Sequence, residues 1–112
     1  YAGAGVVLND HWDDMRAQGY LSNRVYDALA AGAVLLSDDV DGLAASFGDA
    51  VATYDGPARL RAEVDRLLGD PAAAAAAARR GRALILAGHT FGHRVETLLA
   101  TVAAHTALPL AA

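Results

Sequence analysis

Three short apolar runs constrain the fold of this chain more than any other feature: Val6-Val7-Leu8, Val34-Leu35-Leu36 and Val51-Ala52-Thr53-Tyr54. A strand with one wet face alternates apolar and polar residues, because successive side chains point to opposite sides. None of these runs alternates cleanly. They read as strands covered on both faces, the condition of a parallel sheet between helices.

The segments between them carry helix and turn signals. A polar loop runs from Asn9 to Gln18. Ser22 then stands as an N-cap before a helix whose apolar face is Leu21, Val25, Ala28 and Leu29, ended by Gly32. Ser37 to Gly42 is turn-rich, and a short helical turn follows over Leu43–Phe47. Gly56-Pro57 stops the third strand and opens a helix with Leu60, Val64, Leu67 and Leu68 on its half-buried face.

Gly69-Asp70-Pro71 breaks that helix, and the alanine run Ala72–Ala78 opens the next, which reaches Leu86 and ends at Gly88. Thr90 caps a last helix carrying Phe91, Val95, Leu98, Leu99 and Val102 on one face. The reading is one α/β domain over residues 1–106, a partial Rossmann-like three-layer fold with a parallel sheet, and a frayed tail over 107–112.

Composition narrows what such a domain does. The chain has 112 residues, 54% of them apolar, but much of that share is alanine, so the core rests on few large side chains. Its net charge is −4 and it has no basic stripe, which argues against a nucleic-acid partner. All nine basic residues are arginine. Without lysine there is no P-loop lysine, Schiff-base lysine or receiver-pocket lysine. Without cysteine there is no disulfide, thiolate metal site or cysteine nucleophile.

No stretch reads as a membrane span or signal peptide, and a cytoplasmic protein is expected. Heavy use of Ala, Arg and Gly suggests a GC-rich bacterial genome. Three strands are few for a doubly wound sheet, and the chain opens at Tyr1 on Gly3 and Gly5, so an excised part of a longer protein is expected.

In open parallel sheets ligands bind at the carboxyl ends of the strands. There, Gly19-Tyr20-Leu21-Ser22-Asn23-Arg24 sets a hydroxyl, an amide and a guanidinium at a helix N-terminus, a place receptive to phosphate. Either Arg24 bonds a diphosphate, or Ser22 only caps and Arg24 is solvated. Asp27, one turn on, either accepts from ribose hydroxyls or is a surface acid. His11 is a substrate contact, a base, or a loop-packing residue; Trp12 stacks on a base or sugar, or covers the sheet end. His89 and His93 are spaced i, i+4, but no third metal ligand accompanies them, and capping or packing suits them better. Asp39-Val40-Asp41 has a metal-binding spacing without the setting, and Arg79, Arg80 and Arg82 read as a solvated face.

Two stretches carry a family resemblance. Asn9-Asp10-His11-Trp12-Asp13-Asp14-Met15-Arg16 and Ser22-Asn23-Arg24-Val25-Tyr26-Asp27-Ala28-Leu29-Ala30-Ala31-Gly32 resemble the group 1 glycosyltransferases of the spore-maturation-protein type. Gly88-His89-Thr90-Phe91-Gly92-His93-Arg94 is similar to the closing segment of that family.

The resemblance implies the C-terminal half of a GT-B fold, binding a nucleotide-diphosphate sugar and facing an N-terminal domain of the same protein. It puts Ser22, Asn23 and Arg24 at the diphosphate, Asp27 at the ribose, and the loop with His11 and Trp12 at the cleft. It implies hexosyl transfer with no cofactor and no metal. Many relatives carry two acids; Asp27 stands for the second, while Gly19, eight residues earlier, stands where the first would be. That gap leaves a second reading, a non-catalytic glycosyltransferase-like interaction domain. A receiver-like module, suggested by Asp10, Asp38 and Asp39 at strand ends, is a third.

Overall fold

The computed structural model describes residues 1–106; the expected tail at 107–112 lies outside the described residues. Three parallel strands form one sheet in the order β1 (Val7–Asn9), β2 (Leu35–Asp38), β3 (Val51–Tyr54). Parallel neighbours need a crossover, and helices supply it. Between β1 and β2 lie α1 (Asp13–Gln18) and α2 (Asn23–Ala30). Between β2 and β3 lie α3 (Leu43–Phe47) and one turn of 3-10 helix at Gly48–Ala50. Then follow α4 (Pro57–Gly69), α5 (Pro71–Gly88) and α6 (Phe91–His105).

The period of two along the strands divides the core between the faces. Val7, Leu35 and Val51 pack with Val25, Ala28, Leu29, Phe47 and Ile85, so α2, α3 and the end of α5 cover one side. Leu36 faces the other side, with Leu67 of α4 and Ala74 of α5, and Ala52 and Tyr54 join them. This is the expected partial Rossmann-like arrangement of a parallel sheet between helices. Leu29, Leu35, Leu36, Leu43 and Phe47 are fully buried, each stabilising the fold by roughly 1.5–3 kcal/mol relative to exposure.

Helix boundaries follow local chemistry. Pro57 opens α4 at a position where a missing N–H costs nothing. Asp70 ends α4 and caps α5, its carboxylate accepting from the Ala73 N–H at 3.1 Å. Thr90 and His93 form a reciprocal cap at the start of α6.

Four expectations need correction. The first two strands run one or two residues further toward their carboxyl ends than the apolar runs, because Asn9, Ser37 and Asp38 are buried with hydrogen-bond partners. The polar loop from Asn9 to Gln18 contains α1, which ends on Gly19 at φ 67°, a left-handed cap that glycine adopts without strain. On α4, Leu67 is buried but Leu68 is exposed; the buried Glu63, held by Arg59 and Arg66, lies on that helix instead. The apolar side chains of α6 do not pack inward: Phe91, Val95, Leu98 and Leu99 are exposed, and no α6 residue is buried. Among the described residues no helix is long and apolar enough to cross a membrane.

Candidate functional site

At the carboxyl end of the sheet the strands finish in polar residues that form a closed network. Asn9, the last residue of β1, donates from Nδ2 to the Ser37 Oγ at 3.0 Å, and Ser37 donates on to Asp38 Oδ1 at 3.2 Å. Asp38, the last residue of β2, is buried, and its carboxylate collects further donors. The His11 N–H reaches Oδ2 at 3.1 Å, the Arg16 guanidinium reaches Oδ2 at 3.1 Å, and His11 Nδ1 lies 2.6 Å from Oδ1. Four donors around one carboxylate satisfy its lone pairs in a buried place.

The protonation pattern of His11 follows from its other partner. The Ser22 N–H points at His11 Nε2 at 3.0 Å. A backbone amide only donates, so Nε2 accepts and the ring proton sits on Nδ1, facing Asp38. The ring has no exposed surface. His11 therefore lies beneath the loop, with both nitrogens engaged by protein groups. Tyr54, at the end of β3, donates its hydroxyl to the Asn9 carbonyl at 3.0 Å. Burial first, then the charges of Asp38 and Asp10, push this phenol above its ordinary value, with Arg16 opposing, so it stays a donor.

The network ends at the start of α2. Ser22 occupies the N-cap position, but its hydroxyl donates to Asn9 Oδ1 at 2.9 Å and does not cap. The first amides of the helix, Asn23 and Arg24, have no protein partner among the described residues, and for Arg24 this follows from the uncapping. Arg24 is exposed and pairs with no acid among the described residues. The helix N-terminus thus presents free N–H groups, a partial positive charge and a free guanidinium.

One turn along, Asn23 and Asp27 line a groove between α2 and the α5–α6 turn, about 590 Å³ in volume. Tyr26, His89, Phe91 and Arg94 line it too. Arg94 holds the far wall, its guanidinium 5.8 Å above the Tyr26 ring and 2.6 Å from His89 Nδ1. His93 serves as a cap and His89 as a packing group, one of the alternatives open from sequence. Trp12 is 81% exposed and, with Asp10, His11, Asp13 and Asp14, lines a shallow recess at the loop.

The expected site residues therefore divide. Ser22, Asn23, Arg24 and Asp27 gather along the first turns of α2; Trp12 stands free on the neighbouring loop; His11 is enclosed below. Asn9 and Arg94 belong to this region without having been singled out as site residues, and Asp38 was noted only as a strand-end acid of the receiver-like reading. Arg94 was signalled only by its place in the closing segment.

A family model described as glycosyl transferase-like matches residues 1–100. The chain belongs to that family. No curated protein and no solved structure matches it. The receiver-like reading thereby loses its ground. In a glycosyl transferase-like chain the pocketed side of α2 and the uncapped helix start lie at the sheet end where ligands of such folds bind. Among the described residues no three histidine or acidic side chains gather as a metal-ligand set.

Proposed function

We propose that this glycosyl transferase-like chain is the donor-binding C-terminal half of a GT-B glycosyltransferase of the spore-maturation-protein type, acting in hexosyl transfer. The observation that carries the reading is the uncapped start of α2 beside the free Arg24 guanidinium. The Asn23 and Arg24 amides and the Arg24 side chain hold the diphosphate of a nucleotide sugar. Asp27, exposed and unpaired one turn further on, accepts from the ribose hydroxyls within the groove.

As the sugar departs, negative charge grows on the diphosphate. A fixed helix end and guanidinium stabilise that charge without reorganising, so no metal is required for this step. A base for the acceptor comes from the N-terminal domain across the cleft. Trp12, exposed on the loop after β1, is free to meet that domain. The protein works in the bacterial cytoplasm, where nucleotide sugars are made.

A non-catalytic role draws on Gly19. The backbone there sits at φ 67°, and the Asp41 carbonyl oxygen lies 3.5 Å from where a Cβ would stand. The left-handed backbone disfavours an acid at this position, so a sugar contact made by that acid in relatives would have to come from elsewhere here.

The test is calorimetric titration of UDP, GDP and ADP into the full-length protein, beside Arg24→Ala. One diphosphate binds, and the variant binds it about 10- to 100-fold more weakly, the loss of a charge-assisted contact worth roughly 1.5–3 kcal/mol. A folded protein that binds none of the three leaves the non-catalytic reading standing.

A further inference from the structure

We propose that Asp38 and His11 are positioning residues that set the diphosphate-binding amides of α2; the step rests on the donor-site reading above. An N-cap serine ordinarily turns its oxygen back onto the second or third amide of its helix and consumes an orphan donor. Ser22 is held away from that role by the end of β1 and by the loop that follows it. Its hydroxyl is taken by Asn9 of β1 at 2.9 Å, and its N–H is taken by His11 at 3.0 Å. The Arg24 amide, which such a cap would take, stays free for a ligand because Ser22 is anchored below it, and it stands beside the Asn23 amide, which such a cap would not reach.

The anchor works only with the His11 proton on Nδ1. Asp38 fixes that tautomer from 2.6 Å and also holds the His11 backbone N–H at 3.1 Å, so ring and loop are set by one carboxylate. Arg16 closes the arrangement from the solvent side, bonding both Asp38 and the His11 carbonyl. The chain of influence runs from the end of β2 through an enclosed ring to the start of α2. His11 touches no ligand, since its side chain has no exposed surface.

The two ring nitrogens can be mimicked separately. Glutamine at position 11 places an amide oxygen near Nε2 and keeps an acceptor for Ser22. Asparagine places its amide near Nδ1, keeps the partner of Asp38 and leaves the Ser22 N–H without an acceptor. If His11 merely fills space, the two variants behave alike.

The experiment uses the full-length protein with labelled histidine. Long-range proton–nitrogen spectra of the wild type read the tautomer, and titrations with UDP, GDP and ADP read affinity in His11→Gln, His11→Asn and Asp38→Asn, each checked for folding by its melt. The expected result is a neutral Nδ1–H ring, affinity within about threefold of wild type for His11→Gln, and losses of about tenfold or more for His11→Asn and Asp38→Asn. A wild-type ring protonated on Nε2 overturns the proposal without any variant. So do equal affinities in folded His11→Gln and His11→Asn while the wild type binds. A wild type that binds none of the three diphosphates removes the donor-site reading itself, and the positioning role with it.

Discussion

The imidazole of His89 is wedged against Tyr26 and Phe47, with ring centroids 5.8 and 5.1 Å away. Its Nδ1 lies 2.6 Å from the Arg94 guanidinium, which can only donate, so the ring is an acceptor and neutral. Burial first, then the positive charges of Arg94 and His93, hold this histidine below its ordinary value of 6.5. The sign follows by linkage. Below about pH 6.5 the unfolded chain takes up the proton more readily than the folded one, so this contribution to stability is complete above that pH and is lost as pH falls beneath it. His89→Phe keeps an aromatic ring between Tyr26 and Phe47 but has nothing to titrate. Melting temperatures taken from about pH 7.5 to about pH 5 should fall more steeply for wild type than for His89→Phe. Parallel slopes would mean that the Arg94–His89 contact adds nothing to the α5–α6 turn.

At the scale of elements, the sheet is covered tightly on one side because α2 and α5 approach through a glycine. A Cβ on Gly81 would stand 2.6 Å from Leu29 Cδ2 and 3.7 Å from the Ala50 Cβ. Leu29 is fully buried and has nowhere to yield. Overpacking of this kind costs roughly 1–3 kcal/mol, against a helix-propensity gain of about 1 kcal/mol for alanine over glycine. Gly81→Ala should therefore destabilise the chain by about 1 kcal/mol in urea unfolding, and adding Leu29→Val should recover part of the loss. A gain in stability from the single substitution would show that the helices are freer to separate than these distances imply. That close approach was invisible in sequence, where Gly81 sits unremarked within a helix of small residues.

Other parts were legible for physical reasons that can be named. Apolar runs without alternation announce parallel strands, although only β2 is buried along its whole length and Leu8 of β1 is exposed, and Pro57, Asp70 and Thr90 mark helix starts through chemistry local to the chain. The ends of β1 and β2 were not legible, because Asn9, Ser37 and Asp38 are polar yet buried, and partners 13 to 28 residues distant help make that tolerable. The start of α2, where we propose the donor binds, was singled out by its glycine, hydroxyl and guanidinium. What holds it in place was not, since His11 and Asp38 are 27 residues apart and nothing in their spacing joins them.

For the molecule as a whole, shape and packing point the same way. The radius of gyration is 16.4 Å and the principal extents are 55 × 28 × 20 Å, whereas a compact domain of about 100 residues has a radius near 13 Å. The excess fits α6: its 15 residues run about 22 Å at the usual helical rise, and none is buried. Its ties to the body are in its first turn, where Arg94 meets Tyr26 and His89 and where Thr90 and Phe91 border the groove. The hydrophobic stabilisation of the chain consequently resides before Thr90, and α6 adds length more than cohesion. Ending the chain after Thr90 should bring the radius of gyration from solution scattering down toward about 13 Å and shift the melting temperature by less than about 4 °C, the effect of under roughly 1 kcal/mol in a domain of this size. A larger drop in melting temperature would mean that the apolar face of α6 folds back onto the body in solution.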